Sequence, residues 1–233
     1  MTVLWGRLRS MTPSPDLRAV VEALLAAHPD GVLPIVQAGE PVLRTPAAAY
    51  TGQLGDLLED LLEWMRRTML AAPGVGLAAP QVGLPLALAV VHDPGAADPA
   101  DPRERPPLEH RTLVNPRYRP VPAPGDDDVA PVSFYEGCLS VEGYQAVVAR
   151  PRAVELTCED EHGARTTEVL VGWPARIVQH ETDHLGGTLY LDRAETRSLT
   201  SSENLARLWA REAPPAGAAA TLGFPLHLRG ERA

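Results

Sequence analysis

Leu54, Leu57, Leu58, Leu61, Leu62, Met65 and Met69 recur on one side of a 3.6-residue repeat, and this spacing predicts a core helix over 54–69. A shorter run with the same period, Leu17, Val20, Val21, Leu24 and Leu25, predicts a helix capped by Ser14-Pro15 and ended by Pro29 and Gly31. A third helix is expected from Pro174 to Leu185, where Gly186-Gly187 stops it. Leu86–Val91 is a continuous apolar run of the kind a buried strand shows. In Val154–Cys158 apolar positions alternate with Glu155, Thr157 and Glu159, so that strand turns Cys158 inward as a small hydrophobe. Short strands are also expected at Thr112–Val114, Tyr144–Val148 and Thr166–Val171. The stretch PGVGLAAPQVG at 73–83 reads as a turn, and the Pro-, Asp- and Gly-rich segments 93–111 and 120–131 read as surface loops. After Asp192 a short helix is expected near Glu203–Arg211, followed by an Ala-, Pro- and Gly-rich end with the composition of a flexible or loosely docked tail. Because helices do not punctuate every strand, the fold class is α+β.

The chain of 233 residues has room for one hydrophobic core with extensions. It contains no apolar run of the roughly 18 residues that a membrane span needs. The first residues lack the apolar stretch and small-residue cleavage site of a secretory signal, so a cytoplasmic location is expected. A net charge of −9 gives nucleic-acid binding no general electrostatic support. Two cysteines, Cys138 and Cys158, are too few for a disulfide framework and are expected reduced, which leaves a thiol free to ionise and bind metal.

The strongest chemical signal is His180-Glu181-Thr182-Asp183-His184. Four residues slightly exceed one helical turn, so both imidazoles leave the same face and can hold one ion, while Glu181 reaches a water beside it. A surface helix with two solvated histidines would look similar, but the flanking Ile177, Val178 and Leu185 argue for burial, and buried polar groups require partners. A catalytic site needs a third protein ligand. Downstream, Glu195, Glu203 and His227 have no distinctive context, whereas upstream Glu136-Gly137-Cys138-Leu139-Ser140 offers a thiolate beside a glycine.

Taken together, Gly74-Val75-Gly76-Leu77-Ala78-Ala79-Pro80-Gln81, Glu136–Ser140 and Gln179–Leu185 resemble, in order, the three signature motifs of peptide deformylases. Gly39–Arg44, Asn115-Pro116 and Leu189–Arg193 agree with that resemblance. It spans Ile35–Arg193 and marks a catalytic domain at 35–193, an N-terminal extension with a short helix at 1–34 and a partly flexible C-terminal extension at 194–233. The resemblance implies mixed, mainly antiparallel strands packed around a central metal-binding helix. Three departures stand out: Glu142 where many members have proline, Gln145 where a basic residue is common, and Gly186 where an aspartate is common.

The implied activity is hydrolytic removal of the N-terminal formyl group from nascent formyl-methionyl chains, at or near the ribosomal exit tunnel. The resemblance implies that Cys138, His180 and His184 bind the metal, with Fe²⁺ as the physiological ion and Zn²⁺, Ni²⁺ or Co²⁺ able to replace it. Glu181 would act as base and then acid, and the Gln81 amide with the Leu139 N–H would face the oxyanion. Val75, Gly76 and Gly137 would border the bound peptide; Gly76, lacking a side chain, lets a backbone approach closely. Phe134, Trp173 and Ile177 are the candidates for an apolar methionine pocket. Two readings remain beside this one: a zinc endopeptidase, which needs no Cys138, and a metal-stabilised binding module, which has no use for Glu181.

Overall fold

The computed structural model describes residues 16–209 and 212–230. In chain order its helices are α1 (Leu17–Ala27), α2 (Leu57–Ala71), α3 (Trp173–Leu185), α4 (Ser202–Asn204) and α5 (Ala216–Leu222). The strands are β1 (Gly76–Ala78), β2 (Leu88–Asp93), β3 (Leu108–Val121), β4 (Pro131–Cys138), β5 (Val141–Pro151), β6 (Ala153–Glu159), β7 (Arg165–Val171) and β8 (Thr200–Ser201). They form a five-stranded sheet in the order β1-β2-β3-β6-β7 and a three-stranded sheet β4-β5-β8, with antiparallel neighbours throughout. Helices sit beside antiparallel sheets, as the α+β expectation required.

The apolar faces foreseen in the sequence build two adjoining cores. Val21 and Leu25 of α1 and Leu58, Leu61, Met65 and Met69 of α2 pack on Leu77, Leu88 and Val90. Ala175, Ile177 and Val178 of α3 meet Ala89, Val91, Leu113, Leu156 and an inward-facing Cys158. Helix α3 also contacts β5 of the smaller sheet, so it lies where the two sheets converge. Asp16 caps α1, accepting from the Arg18 N–H at 3.1 Å; the expected caps Ser14 and Pro15 lie outside the described residues, as does Arg211.

Three segments differ from the periodicity reading. Gly76–Ala78, inside the expected turn, is a strand buried at all three positions, too short and too uniformly buried to alternate. β3 is longer than the expected Thr112–Val114 strand and takes in residues 108–111 and 120–121 from the edges of the expected loops: Glu109, His110, Arg117 and Arg119 keep exposed side chains while the strand's backbone pairs with β2 and β6. β4 gave no apolar alternation because two of its buried positions are the polar Ser133 and Glu136.

A bulge at Asn115 re-aims β3. Asn115 adopts φ +50°, which asparagine tolerates, and its side chain exchanges hydrogen bonds of 2.8 and 2.9 Å with the Tyr50 backbone. The segment after α4 lies on the smaller sheet. Ala218, Ala219 and Phe224 are buried beside Val147, and the Ser133 N–H donates to the His227 carbonyl at 2.9 Å.

Gly172 joins β7 to α3 at φ +68°, where a Cβ would lie 2.4 Å from the Glu104 carbonyl oxygen. Gly172→Ala is therefore expected to lower stability by about 1–3 kcal/mol in urea unfolding. An unchanged midpoint would show that the segment carrying Glu104 moves aside without cost.

Candidate active site

Helix α3 presents His180 and His184 from one face, one turn apart, with ring centroids 5.0 Å apart. The β4–β5 hairpin brings Cys138 opposite them: its Sγ lies 3.3 Å from His184 Nε2, and one donor atom from each of the three residues falls within 4.8 Å of the others. This is the one such metal-competent group of three among the described residues; Glu195, Glu203 and His227 are not part of it. The Ser140 N–H and the Gln81 amide donate toward the sulfur from 3.4 and 3.5 Å. Gln81 is itself fixed, because its Oε1 accepts from the Ala78 N–H at 2.8 Å.

A soft thiolate with two imidazoles is a donor set suited to a divalent transition ion. Two buried atoms at the site, Glu181 Oε2 and His184 Nδ1, have no hydrogen-bond partner among the described residues, which costs free energy unless another polar species meets them. The residues therefore fit a metal centre. Burial pushes the Glu181 carboxyl up to about 7, against the pull of His180 and Arg150. Its side chain lies directly over Gly76, where a Cβ would come within 2.1 Å of Oε1.

Behind the histidines stands a charged network that the motif reading did not assign. Glu136, immediately before Gly137, accepts from Arg150 Nε at 2.6 Å and Nη2 at 3.0 Å, and from Arg176; its Oε2 lies 3.1 Å from His180 Nδ1. Burial alone would raise the Glu136 carboxyl, but Arg150, Arg176 and His180 override it and hold the group well below the usual carboxylate range. Arg150 also reaches Asp183 at 2.7 Å, and Asp183 accepts from the Tyr118 hydroxyl at 2.9 Å. The available signal was weak: a Glu beside a ligand candidate, an Asp inside the helical motif, and two arginines in otherwise apolar surroundings. The outlying Arg44 and Asp192 motifs meet as an ion pair, and Tyr190 stacks on His180 with centroids 6.2 Å apart.

The group opens into a cleft of about 1320 Å³. Val75, Gly76, Gly137, Phe134, Trp173 and Ile177 all line it, as do Gln81 and Leu139, so every sequence-chosen residue outside the helical motif borders one space. Phe134 and Trp173 meet edge to face at 6.2 Å and 72°. Leu139 sits in the hairpin turn with Cδ1 only 2.8 Å from where a Gly74 Cβ would be. The cleft also contains walls that the motifs did not indicate: Arg103 from the β2–β3 connection, and Trp209 and Glu212 from the C-terminal segment.

Comparison with known proteins agrees with this geometry. The family model described as "Polypeptide deformylase" matches residues 32–199. Peptide deformylase 3 of Streptomyces avermitilis is 57% identical over 222 residues, 91% of this chain and 95% of that one. Peptide deformylase 1 of Bifidobacterium longum is 52% identical over 212 residues, covering 90% and 94%. A crystal structure of the class I type b peptide deformylase from Acinetobacter baumannii with Met-Ala-Ser bound superposes with a TM-score of 0.59 at 33% identity, over 70% of this chain and 98% of that one. Motif order, fold, clustered donors and identity across nearly the whole chain converge, and the protein belongs to the polypeptide deformylase family.

Proposed function

We propose that Cys138, His180 and His184 hold one divalent metal ion and that Glu181 carries the proton in the deformylation this family performs. The reaction is hydrolysis of the N-terminal formamide of a nascent polypeptide, releasing formate and a free amine. One observation carries the assignment of residues: a thiol and two imidazoles converge within 4.8 Å beside a buried carboxyl that has an unpartnered oxygen. We take the ion to be Fe²⁺, with Zn²⁺, Ni²⁺ or Co²⁺ able to bind the same donors. The catalytic unit is then residues 35–193, with 1–34 and 194–233 as extensions. Its setting is the cytoplasm near the ribosomal exit tunnel, where formylated N-termini emerge and thiols stay reduced.

When bound, the ion supplies Lewis acidity, polarising the formyl carbonyl and making water a nucleophile near neutral pH. Glu181 accepts the proton of the attacking water and delivers it to the departing amine nitrogen, so one carboxyl serves both half-reactions. The Gln81 amide, anchored through Ala78, and the Leu139 N–H donate to the carbonyl oxygen as it gains charge; one such donor is worth roughly 2.7–4 kcal/mol. Glu136 holds His180 by Nδ1, leaving Nε2 for the ion, a pairing that fixes ring orientation. Gly76 and Val75 on one side and Gly137 on the other border the peptide's path, and Phe134, Trp173 and Ile177 receive the methionine side chain. Family membership does not favour the endopeptidase or binding-module readings.

Cys138→Ser is expected to abolish most metal binding, because a hydroxyl ionises poorly and is a harder ligand. Metal analysis of anaerobically purified wild type and variant tests this and identifies the ion; full occupancy in the variant would remove Cys138 from the centre. Glu181→Gln keeps the side chain's shape but accepts no proton. Near-normal metal content with formate release down at least about a hundredfold is expected, and close to wild-type turnover would exclude Glu181 as proton carrier.

The acyl group tests the site as a whole. The contact between Glu181 and the bare Gly76 backbone leaves little clearance, and an acetyl methyl adds steric overlap to an intrinsically less electrophilic carbonyl. Formyl-Met-Ala-Ser should exceed acetyl-Met-Ala-Ser by at least about a hundredfold in kcat/KM. Comparable deacetylation would contradict a tight formyl site, and cleavage of an internally quenched peptide would revive the endopeptidase.

A further inference from the structure

The loop between β2 and β3, residues 94–107, is held against the start of α3 by a set of unrelated bonds. Arg105 pairs with the fully buried Asp93 at 2.8 Å, Arg152 pairs with Glu104 at 2.7 Å, and the Trp173 N–H donates to the Glu104 carbonyl at 3.1 Å. The close approach at Gly172 belongs to the same seam. The loop is thus a fixed wall with defined side-chain positions.

Three guanidiniums stand over the Trp173 ring, with Cζ to centroid distances of 5.5 Å for Arg103, 5.8 Å for Arg105 and 5.7 Å for Arg176. Their commitments differ. Arg176 is buried, lies over Phe134 as well, and is bound to Glu136 and the Val132 and Val148 carbonyls. Arg105 belongs to the Asp93 pair and lines a separate cavity behind the loop. Arg103 alone of the two loop arginines lines the substrate cleft, where Asp101 fixes it through bonds from Nε at 2.9 Å and Nη2 at 2.6 Å. A guanidinium stacked on an aromatic face is planar, and its ion pair holds it in place.

From this placement we propose that Arg103 is a specificity-determining residue: with Trp173 it forms the outer wall of the pocket for the formylated residue's side chain and limits that side chain's size. The proposal rests on the reading of Phe134, Trp173 and Ile177 as that pocket. A pocket floored by Arg176 and the two aromatic rings, and closed by Arg103, accepts a slim unbranched thioether and meets longer or wider side chains with the guanidinium. Arg103 touches neither the metal donors nor Glu181, so its effect belongs in KM and in relative specificity.

The test compares formyl-Met-Ala-Ser with the same peptide carrying ethionine or phenylalanine in place of methionine, using metal-replete wild type, Arg103→Ala and Arg103→Met. One methylene in an apolar pocket discriminates roughly 10–200-fold, so wild type should prefer methionine over ethionine by at least about tenfold. Arg103→Ala should reduce that preference to below about threefold and raise relative use of phenylalanine, chiefly through KM, with metal content unchanged. Arg103→Met, which restores length and apolar contact without charge, should recover most of the discrimination. Unchanged ratios in Arg103→Ala, or an equal loss of kcat on all three peptides, would overturn the wall. Failure of metal-replete wild type to release formate from formyl-Met-Ala-Ser would instead overturn the deformylase reading beneath it.

Discussion

Two carboxylates with almost no access to water, Glu136 and Asp183, are both paired with the buried guanidinium of Arg150. Arg150 bridges both, Arg176 closes on Glu136, and Tyr118 and Arg193 complete Asp183. Removing one partner from such a buried arrangement leaves an uncompensated charge and costs about 3–5 kcal/mol. Because β3, β4, β5, α3 and the Arg193 segment each contribute a member, the network fixes where α3 lies relative to the hairpin carrying Cys138. His180 hangs on the same network through Nδ1. The metal-competent group of Cys138, His180 and His184 is therefore backed by a layer of paired charges, to which His180 is joined directly.

The front of the site depends on a complementary device, the absence of side chains. Gly76 lies so close under Glu181 that any Cβ would collide with the carboxyl, and Gly74 stands in the same relation to Leu139. Backbone approaches where side chains would otherwise stand, which narrows the space beside Glu181 and Leu139. Burial then makes each remaining dipole count for more, since a donor acts more strongly in low dielectric than in water. Gln81 illustrates the economy: one end of its amide is occupied by Ala78, so the other end can face only the Cys138 and Ser140 side.

Elements outside the signature motifs shape the rest of the cleft. The 94–107 loop and the segment after α4 both line it, and the latter is held down by Ala218, Ala219 and Phe224 packing on the smaller sheet. The clustered donors and the outer walls of the cleft thus come from different parts of the chain, the first from the motifs and the second from its least regular stretches.

The three longest helices were legible because each carries its own periodic apolar face: Val21 and Leu25, Leu58 through Met69, and Ile177 and Val178 are inward wherever the helix is placed. The three chemical motifs were legible for a similar reason, since each packs its candidate residue and that residue's immediate support into a few consecutive positions. β1 and β4 were hidden because their burial is decided by neighbours in the sheet, so Gly76, Ser133 and Glu136 lie inside without apolar alternation to announce it. The pairing of Glu136 with Arg150 and Arg176 left only a weak signal in the sequence, and the placement of Arg103 over Trp173 left none. An arginine has the same identity whether it is solvated or buried. Which carboxylate or ring it meets depends on strands and loops brought together from 14 to 70 residues away, and only the tertiary structure sets those distances.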